Sequence, residues 1–568
     1  MRTDWIPAFA GMTAPWTADD WQMKTVHEEE NPHSPAQVTP PLPLPFYCRG
    51  QFYGLQKVLP LADSKLEVAL LTDLNRPVNG VALLKDSNLR RHGLVAPVLL
   101  SLAATAAAFP FQLRAQNLLP APGGAIVQLT PQPGYFTEPS IAINPGNPEQ
   151  IVAAYQDNAH VATSSDAGAH WMTPPGIAPP DYRVSGDVSV TYDTRGHAIL
   201  CYIAFDKLGT FNYWAHGAMR NGIFIRRSLD GGRTWEANHI PVAEQPTQPG
   251  IPFEDKPYIV ADTSSDPHAG NLYIGWTRWT LEDSRILLSR STDGGATWLA
   301  PLEISVRRGL PRDDNGAAEG FSGAVGADGT LYVVWALGDH IIFRASSDGG
   351  ASFTPERDII RTAPIMFHVQ DVSRANGFPV IAVDPGSGSP RAGQPRSRVP
   401  AAQTPRPRGG RPERLYVAWS DYRHGDVDVF CSASSDRGRT LSEPVRVNSD
   451  PLHNGADQFF HWLAADPADG SANLIYYDRR LDPGNRDAAV TLARSTDGGK
   501  SFTNYAWATE AFNPGGIFMG DYTGIAAFGG KVYGVWTEKP AGSNGSGGTA
   551  SPSTHPGTVI KIGSADFK

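Results

Sequence analysis

Three arginines, Arg278, Arg423 and Arg479, stand just after aromatic, apolar runs that end at Trp276, Trp419 and Tyr477. A guanidinium presents paired N–H donors that fit a carboxylate, so three at similar places could hold an acidic ligand. Asp157, Asp206, Lys207, Asp421, Asp478 and Glu538 also follow such runs. Glu138, Asp187, Glu254, Asp255, Lys256, Asp457, Asp521 and Tyr522 stand just before or within other alternating runs. These segments are more polar than turns require. Their plain alternative role is as solvated loop charges and hydrogen bonds between neighbouring sheets.

The elements that must position these residues are set by a repeat. Ser291-Thr292-Asp293-Gly294-Gly295-Ala296-Thr297-Trp298 has five relatives, beginning at Ser164, Ser228, Ser346, Ser434 and Ser495. Asp bonds backbone amides just ahead of it, Gly accepts positive φ, and the closing Trp or Phe is a wedge that packs between sheets. Repetition in register decides the architecture. Each unit reads as four antiparallel strands: an inner strand such as Pro257–Asp262, an aromatic second strand such as Leu272–Trp276, a third strand into the turn, and a short outer strand. That is one propeller blade.

Second strands at 151–155, 198–204, 272–276, 331–335, 415–419, 473–477 and 531–536 give seven blades. The seventh unit ends in a third strand, Thr558–Ile562, with no box after it. Gly124–Leu129 is expected to supply its outer strand, pairing the two ends and removing an open edge. Because strands alternate in direction, the boxes share a face with the first-to-second turns. The opposite face collects the candidate residues and is the one to search for a site.

The motif Ser-x-Asp-x-Gly-x-Thr-Trp resembles the Asp-box, or bacterial neuraminidase repeat, of the sialidase-like β-propellers, from about Glu138 onward. Six blades are usual in that family and are the alternative count. In sialidases an arginine triad holds the sugar carboxylate, a Tyr paired with a Glu is the nucleophile, and an Asp is the acid/base. A Tyr nucleophile keeps an anionic carboxylate away from an anionic substrate. By this resemblance Tyr522 is the nucleophile, Glu538 its partner, and Asp157 or Asp187 the acid/base. Arg278, Arg423, Arg479, Asp255, Lys256 and Asp521 are the substrate-binding set. The family's early Phe/Tyr-Arg-Ile-Pro stretch corresponds to Tyr135-Phe136-Thr137-Glu138-Pro139-Ser140, with Glu and no Arg. Two functions are expected. One is a secreted, exo-acting sialidase-like glycoside hydrolase on an extracellular glycan or glycoprotein. The other is a non-catalytic propeller that binds glycan or protein. The missing early arginine favours binding; the arginine trio and Tyr522 with Glu538 favour hydrolysis.

The 568-residue chain carries a net charge of −9, with no basic field for nucleic acid. Its 3 cysteines include Cys201 and Cys431 in apolar strand-like runs, which read as buried thiols. No cofactor is expected. Calcium would suit the carboxylates, but no dense Asp-x-Asp-x-Asp loop occurs, and His453 and His461 around Asp457 lack a third metal-ligand partner. Residues 88–115 join a basic head to an apolar run and read as a secretory signal peptide. Pro97 and Pro110 argue against a membrane anchor, so no span is expected in the mature chain. Residues 1–87 are not a domain, and a true start is expected near Val81 or Leu84. The propeller is placed at 116–568, with insertions at 386–413 and 541–556. The mature chain is expected to be a monomer.

Overall fold

The computed structural model describes residues 118–182, 184–206, 220–246, 252–365, 369–372, 374–387, 410–540 and 557–568. The expected leader and the segment before it, Cys48, Lys207, residues 388–409 and residues 541–556 lie outside them. Runs rich in β-branched and aromatic residues, cut by Gly- and Asp-containing turns, form seven sheets. No helix occurs among the described residues. The inner strands are Thr137–Ile143, Val184–Tyr192, Phe253–Ala261, Ala318–Val325, Val380–Asp384, Gln458–Ala465 and Gly524–Phe528. Each pairs antiparallel with the strand after it. The count is therefore seven blades, not six. In blade one a single bridge between Thr163 and Met172 replaces the fourth strand.

The ring closes as the sequence predicts. Val559–Asp566 pairs with Lys531–Glu538 on one side and with Ile126–Gln128 on the other, Ile126 lying opposite Gly563. Just upstream, Leu119–Pro120 adds a parallel strand to the outer edge of blade six, Leu119 opposite Tyr505. One short segment thus covers two sheet edges that would otherwise be open.

Seven apolar clusters lie between adjacent blades. Trp276, Trp335, Trp419 and Trp536 of the second strands are fully buried. The boxes feed the same clusters. Trp171, Trp235, Trp298, Phe353, Leu441 and Phe502 each pack into the cluster between their own blade and the preceding one. Between blades six and seven, where the box is missing, Trp507 and Phe567 fill the space. Cys201 and Cys431 are buried free thiols.

Each box is held by a small polar network. In Ser291–Trp298 the Ser291 hydroxyl donates to Asp293 and accepts from the Gly295 N–H, both at 2.8 Å. Asp293 accepts from the Thr297 N–H at 2.9 Å and from its hydroxyl at 2.6 Å. The pattern repeats in the other boxes, with His170 in place of the hydroxyl residue in the first. Gly231, Gly294 and Gly349 lie so close to Gln150, Arg195 and His268 that a β-carbon would collide. Those three neighbours belong to first-to-second turns of the preceding blades, so boxes and turns share one face.

Candidate functional site

On the box-free side of the ring, five inner strands break register. The shifts fall between Thr137 and Ser140, Gly186 and Ser189, Asp255 and Tyr258, Glu319 and Ser322, and Phe459 and Trp462. A β-bulge inserts an unpaired residue and re-aims its side chain. Here the bulged residues have positive φ: Glu138 51°, Asp187 42°, Lys256 49°, Gly320 74° and Phe460 50°. Such backbone is uncommon outside glycine and marks places where surrounding structure imposes the conformation. Serine hydroxyls fix the level at which this happens. Ser140 accepts from the Val190 N–H, Ser189 from the Ile259 N–H and Ser322 from the Ile381 N–H, at 3.1, 3.1 and 3.2 Å. These bonds tie one inner strand to the next.

The bulges bring charges together at the channel axis. Glu138 and Lys256 are buried, and Asp187 is half-buried. Glu138 hydrogen-bonds the Asp187 carboxyl, and its Oε1 accepts from the Asp521 N–H at 3.1 Å. Gly520, at φ 84°, leaves the space through which the Glu138 side chain passes; a β-carbon there would sit 2.2 Å from Glu138 Cγ. Arg374 lies between two carboxylates, donating to Asp521 through Nε at 2.8 Å and through Nη2, and to Asp313 through Nη1. Asp313 in turn neighbours Glu319 and acts on it electrostatically. Asp255 accepts from the Trp279 indole at 2.9 Å and interacts electrostatically with both Asp187 and Asp313.

Six carboxyl groups thus share this space with two cations, Lys256 and Arg374. The electrostatic consequence is proton retention. Burial pushes the Glu138 carboxyl well above its usual range, and Asp187 and Asp521 push it further. Glu319 is raised well above its usual range by burial and then by Asp313 and Asp255. Asp255 is raised likewise by burial and then by Asp187. Asp313 is raised by burial, with Arg374 pulling it back. Burial opposes the Arg374 charge, but Asp313, Asp521 and Glu138 outweigh it and hold the guanidinium firmly protonated. Among the described residues, no three His, Cys, Asp or Glu side chains are arranged to hold a metal ion.

Several candidates named from the sequence are therefore in one place: Asp187, Asp255, Lys256, Asp521 and Tyr522. Tyr522 is buried, its hydroxyl donates to the Val188 carbonyl at 3.4 Å, and Lys256 Nζ sits 4.2 Å from its ring centre. Burial and then the surrounding carboxylates raise its phenol well above the usual value, which disfavours a phenolate. The expected pairing of Tyr522 with Glu538 is not present. Glu538 accepts from the Trp536 indole at 3.0 Å and pairs with Lys561.

The arginine trio does not converge either. Arg278 closes its fork on Glu254, its cross-strand neighbour, and Glu254 also takes the Trp276 indole. Arg423 closes on Asp421, which takes the Trp419 indole at 2.9 Å. Glu538 with Trp536 and Lys561 is the third example of the same arrangement: a buried indole and a cation braced by one carboxylate. Arg479 is fully buried and donates to the Gln370 and Asn485 carbonyls at 2.7 and 2.9 Å. Asp157, at the end of the second strand of blade one, is raised by burial and is not among the groups acting most strongly on Glu138.

Three members of the cluster were missed in the sequence: Asp313, Glu319 and Arg374. Glu319-Gly320-Phe321-Ser322 occupies the same bulge register as Gly186-Asp187-Val188-Ser189, so aligning inner strands blade by blade would have found Glu319. Asp313 and Arg374 lie in irregular segments leading into blades four and five, where no period points to them.

No family model matches the chain, and no curated protein matches it. Solved structures do. The endosialidase of phage phi92 is 11% identical, with 78% of this chain and 69% of that one covered at a TM-score of 0.43. A Hadza microbial sialidase is 16% identical, with 75% of each chain covered at 0.38. An α-L-arabinofuranosidase from Fusarium graminearum is 12% identical, covering 69% of this chain and 96% of that one at 0.39. This chain is similar to them in sequence only at this low level; its seven-bladed propeller is read from its own strand pairing.

Proposed function

We propose that this protein is a glycoside hydrolase whose acid–base chemistry is done by two carboxyl pairs at the box-free mouth. The observation that carries the reading is their shared construction. Each pair joins one buried Glu to one half-buried Asp: Glu138 with Asp187, and Glu319 with Asp313. Glycosidic cleavage needs one carboxylic acid and one carboxylate flanking the bond. In the first pair a proton is retained, and Asp187 is the member open enough to pass it to a leaving oxygen. In the second pair Asp313 is the half-buried member, raised by burial with Arg374 pulling it back, and its contact with that guanidinium suits it to act as base or nucleophile. Glu138 is a positioning residue that keeps the proton in reach. Tyr522, under Lys256, forms part of the floor.

The finer reading is an exo-acting enzyme on an extracellular glycan, exported through the leader at 88–115. N-terminal sequencing of secreted protein, with a mature start near Gln116, supports export; a mature start at Met1 removes it. The test of the chemistry is release of a fluorescent aglycone from a panel of neutral and acidic glycosides. General acid–base groups contribute roughly 10²–10⁴-fold, so Asp187→Asn and Asp313→Asn should each lower kcat/KM by that order. Tyr522→Phe should retain most turnover. Wild-type turnover of nothing in the panel, together with binding of a sugar, would instead establish the non-catalytic glycan-binding propeller.

A further inference from the structure

Two buried polar atoms of the cluster have no hydrogen-bond partner: Lys256 Nζ and Glu319 Oε2. Lys256 is 8% exposed and Glu319 3%. Lys256 lines the axial cavity, with its ammonium over the rings of Tyr522 at 4.2 Å and Phe378 at 5.0 Å. Glu319 feels Asp313, Asp255, Lys256 and Asp521, so it faces the same cluster. A buried donor and a buried acceptor left open in one site are a request for a ligand that both accepts and donates.

Chemistry narrows the ligand. An ammonium is donor-only, while Glu319 Oε2 offers lone pairs. A hydroxyl answers either one. Adjacent hydroxyls on a sugar ring answer both. A carboxylate-bearing sugar is disfavoured twice. Six carboxyl groups crowd this mouth against two cations, so a further carboxylate meets more acids than partners. The one guanidinium of the cluster is also already divided between Asp313 and Asp521. An amino sugar would answer Glu319 but meet the Lys256 charge.

We propose that Lys256 and Glu319 are the specificity pair of this mouth, reading hydroxyls of a neutral sugar and excluding sugars that carry a carboxylate. The proposal rests on the reading of the mouth as a sugar site. It requires binding, not turnover, so it can be tested apart from hydrolysis.

The experiment is calorimetric titration of the full-length Asp187→Asn protein, so that any substrate stays intact. The probes are methyl glycosides of glucose, galactose, mannose, xylose, arabinose and fucose, against methyl glucuronide, methyl sialoside and glucosamine. At least one neutral glycoside should bind, and Lys256→Met or Glu319→Gln added to that background should each weaken it tenfold or more. The acidic glycosides should bind at least tenfold more weakly than the best neutral one. Three results would overturn the assignment: an acidic glycoside binding as tightly as the best neutral one, glucosamine binding tenfold more tightly than glucose, or unchanged affinity in both variants. Should Lys256→Met fail to fold, Glu319→Gln, which keeps shape and exchanges a carboxyl oxygen for an amide donor, carries the test alone. Sugar binding by a wild type that turns over no glycoside would end the hydrolase reading and leave this one standing. Turnover with a neutral-over-acidic ratio unchanged in Glu319→Gln would do the reverse.

Discussion

The two faces of the ring use the same side chain to opposite ends. On the box face, Asp166, Asp293, Asp436 and Asp497 are each lowered to about 2. For Asp436 the largest cause is the Thr440 hydroxyl. For Asp293 burial pushes upward, and the Thr297 and Ser291 bonds outweigh it. These carboxylates are exposed or, for Asp436, half-buried, they are held ionised at neutral pH, and their acceptor positions are filled by their own turn. On the opposite face, Glu138, Asp255 and Glu319 are buried and raised, and they crowd one another. An ionised acid whose lone pairs are saturated locally builds a fold. An acid that keeps its proton beside other acids stores chemistry.

The largest expected effect is the loss of turnover in Asp187→Asn and Asp313→Asn, with melting little changed. Next is Glu538→Ala. It strips a carboxylate from a buried indole and from Lys561, so it should cost about 1–3 kcal/mol of stability and leave kcat/KM per folded molecule intact. A large activity loss with normal stability would return Glu538 to the site. Smaller still is Asp293→Ala, which removes a turn acceptor and should cost about 1 kcal/mol in a denaturant melt. An unchanged melt would deny the box its structural role.

The smallest effect is a pair of opposite pH dependences. The folded pKa of Glu138 is raised above 4.5, so its stabilising contribution is present at low pH and is lost as pH rises through the folded value. Glu138→Gln should therefore flatten the decline of stability on the neutral side. The folded pKa of Asp293 is lowered to about 2, so its contribution is present above about 4 and lost as pH falls through 2. Asp293→Asn should flatten the acid side instead. Melting curves across pH that changed on the same side in both variants would erase the distinction between the faces.

The fold was legible because its signal is local and repeated. Asp293 and Gly295 bond within eight residues of chain, and the same spacing recurs in every box. Ring closure was legible because Val559–Asp566 lacks a following box and Ile126–Gln128 lacks any other partner. The site was only half legible. Asp187, Asp255, Lys256, Asp521 and Tyr522 precede or enter inner strands, where position along the chain predicts position in space. Whether an arginine is free depends on what register places across from it: Glu254 takes Arg278, a fact of strand pairing and not of composition. Asp313 and Arg374 reach the axis through irregular segments, where neither period nor propensity specifies direction.

The strand at Ile126–Gln128 has a consequence for how the molecule is made. It is among the first parts of the propeller to be synthesised, and its partner, Val559–Asp566, is the last. Throughout translation the circle is an arc with two adhesive ends. Completion waits for Val559–Asp566, so the nascent ring remains unsealed until that strand has been made. Deleting residues 119–128 should leave most inter-blade contacts in place yet produce a protein that zips onto its own copies through the bare edge of blade seven.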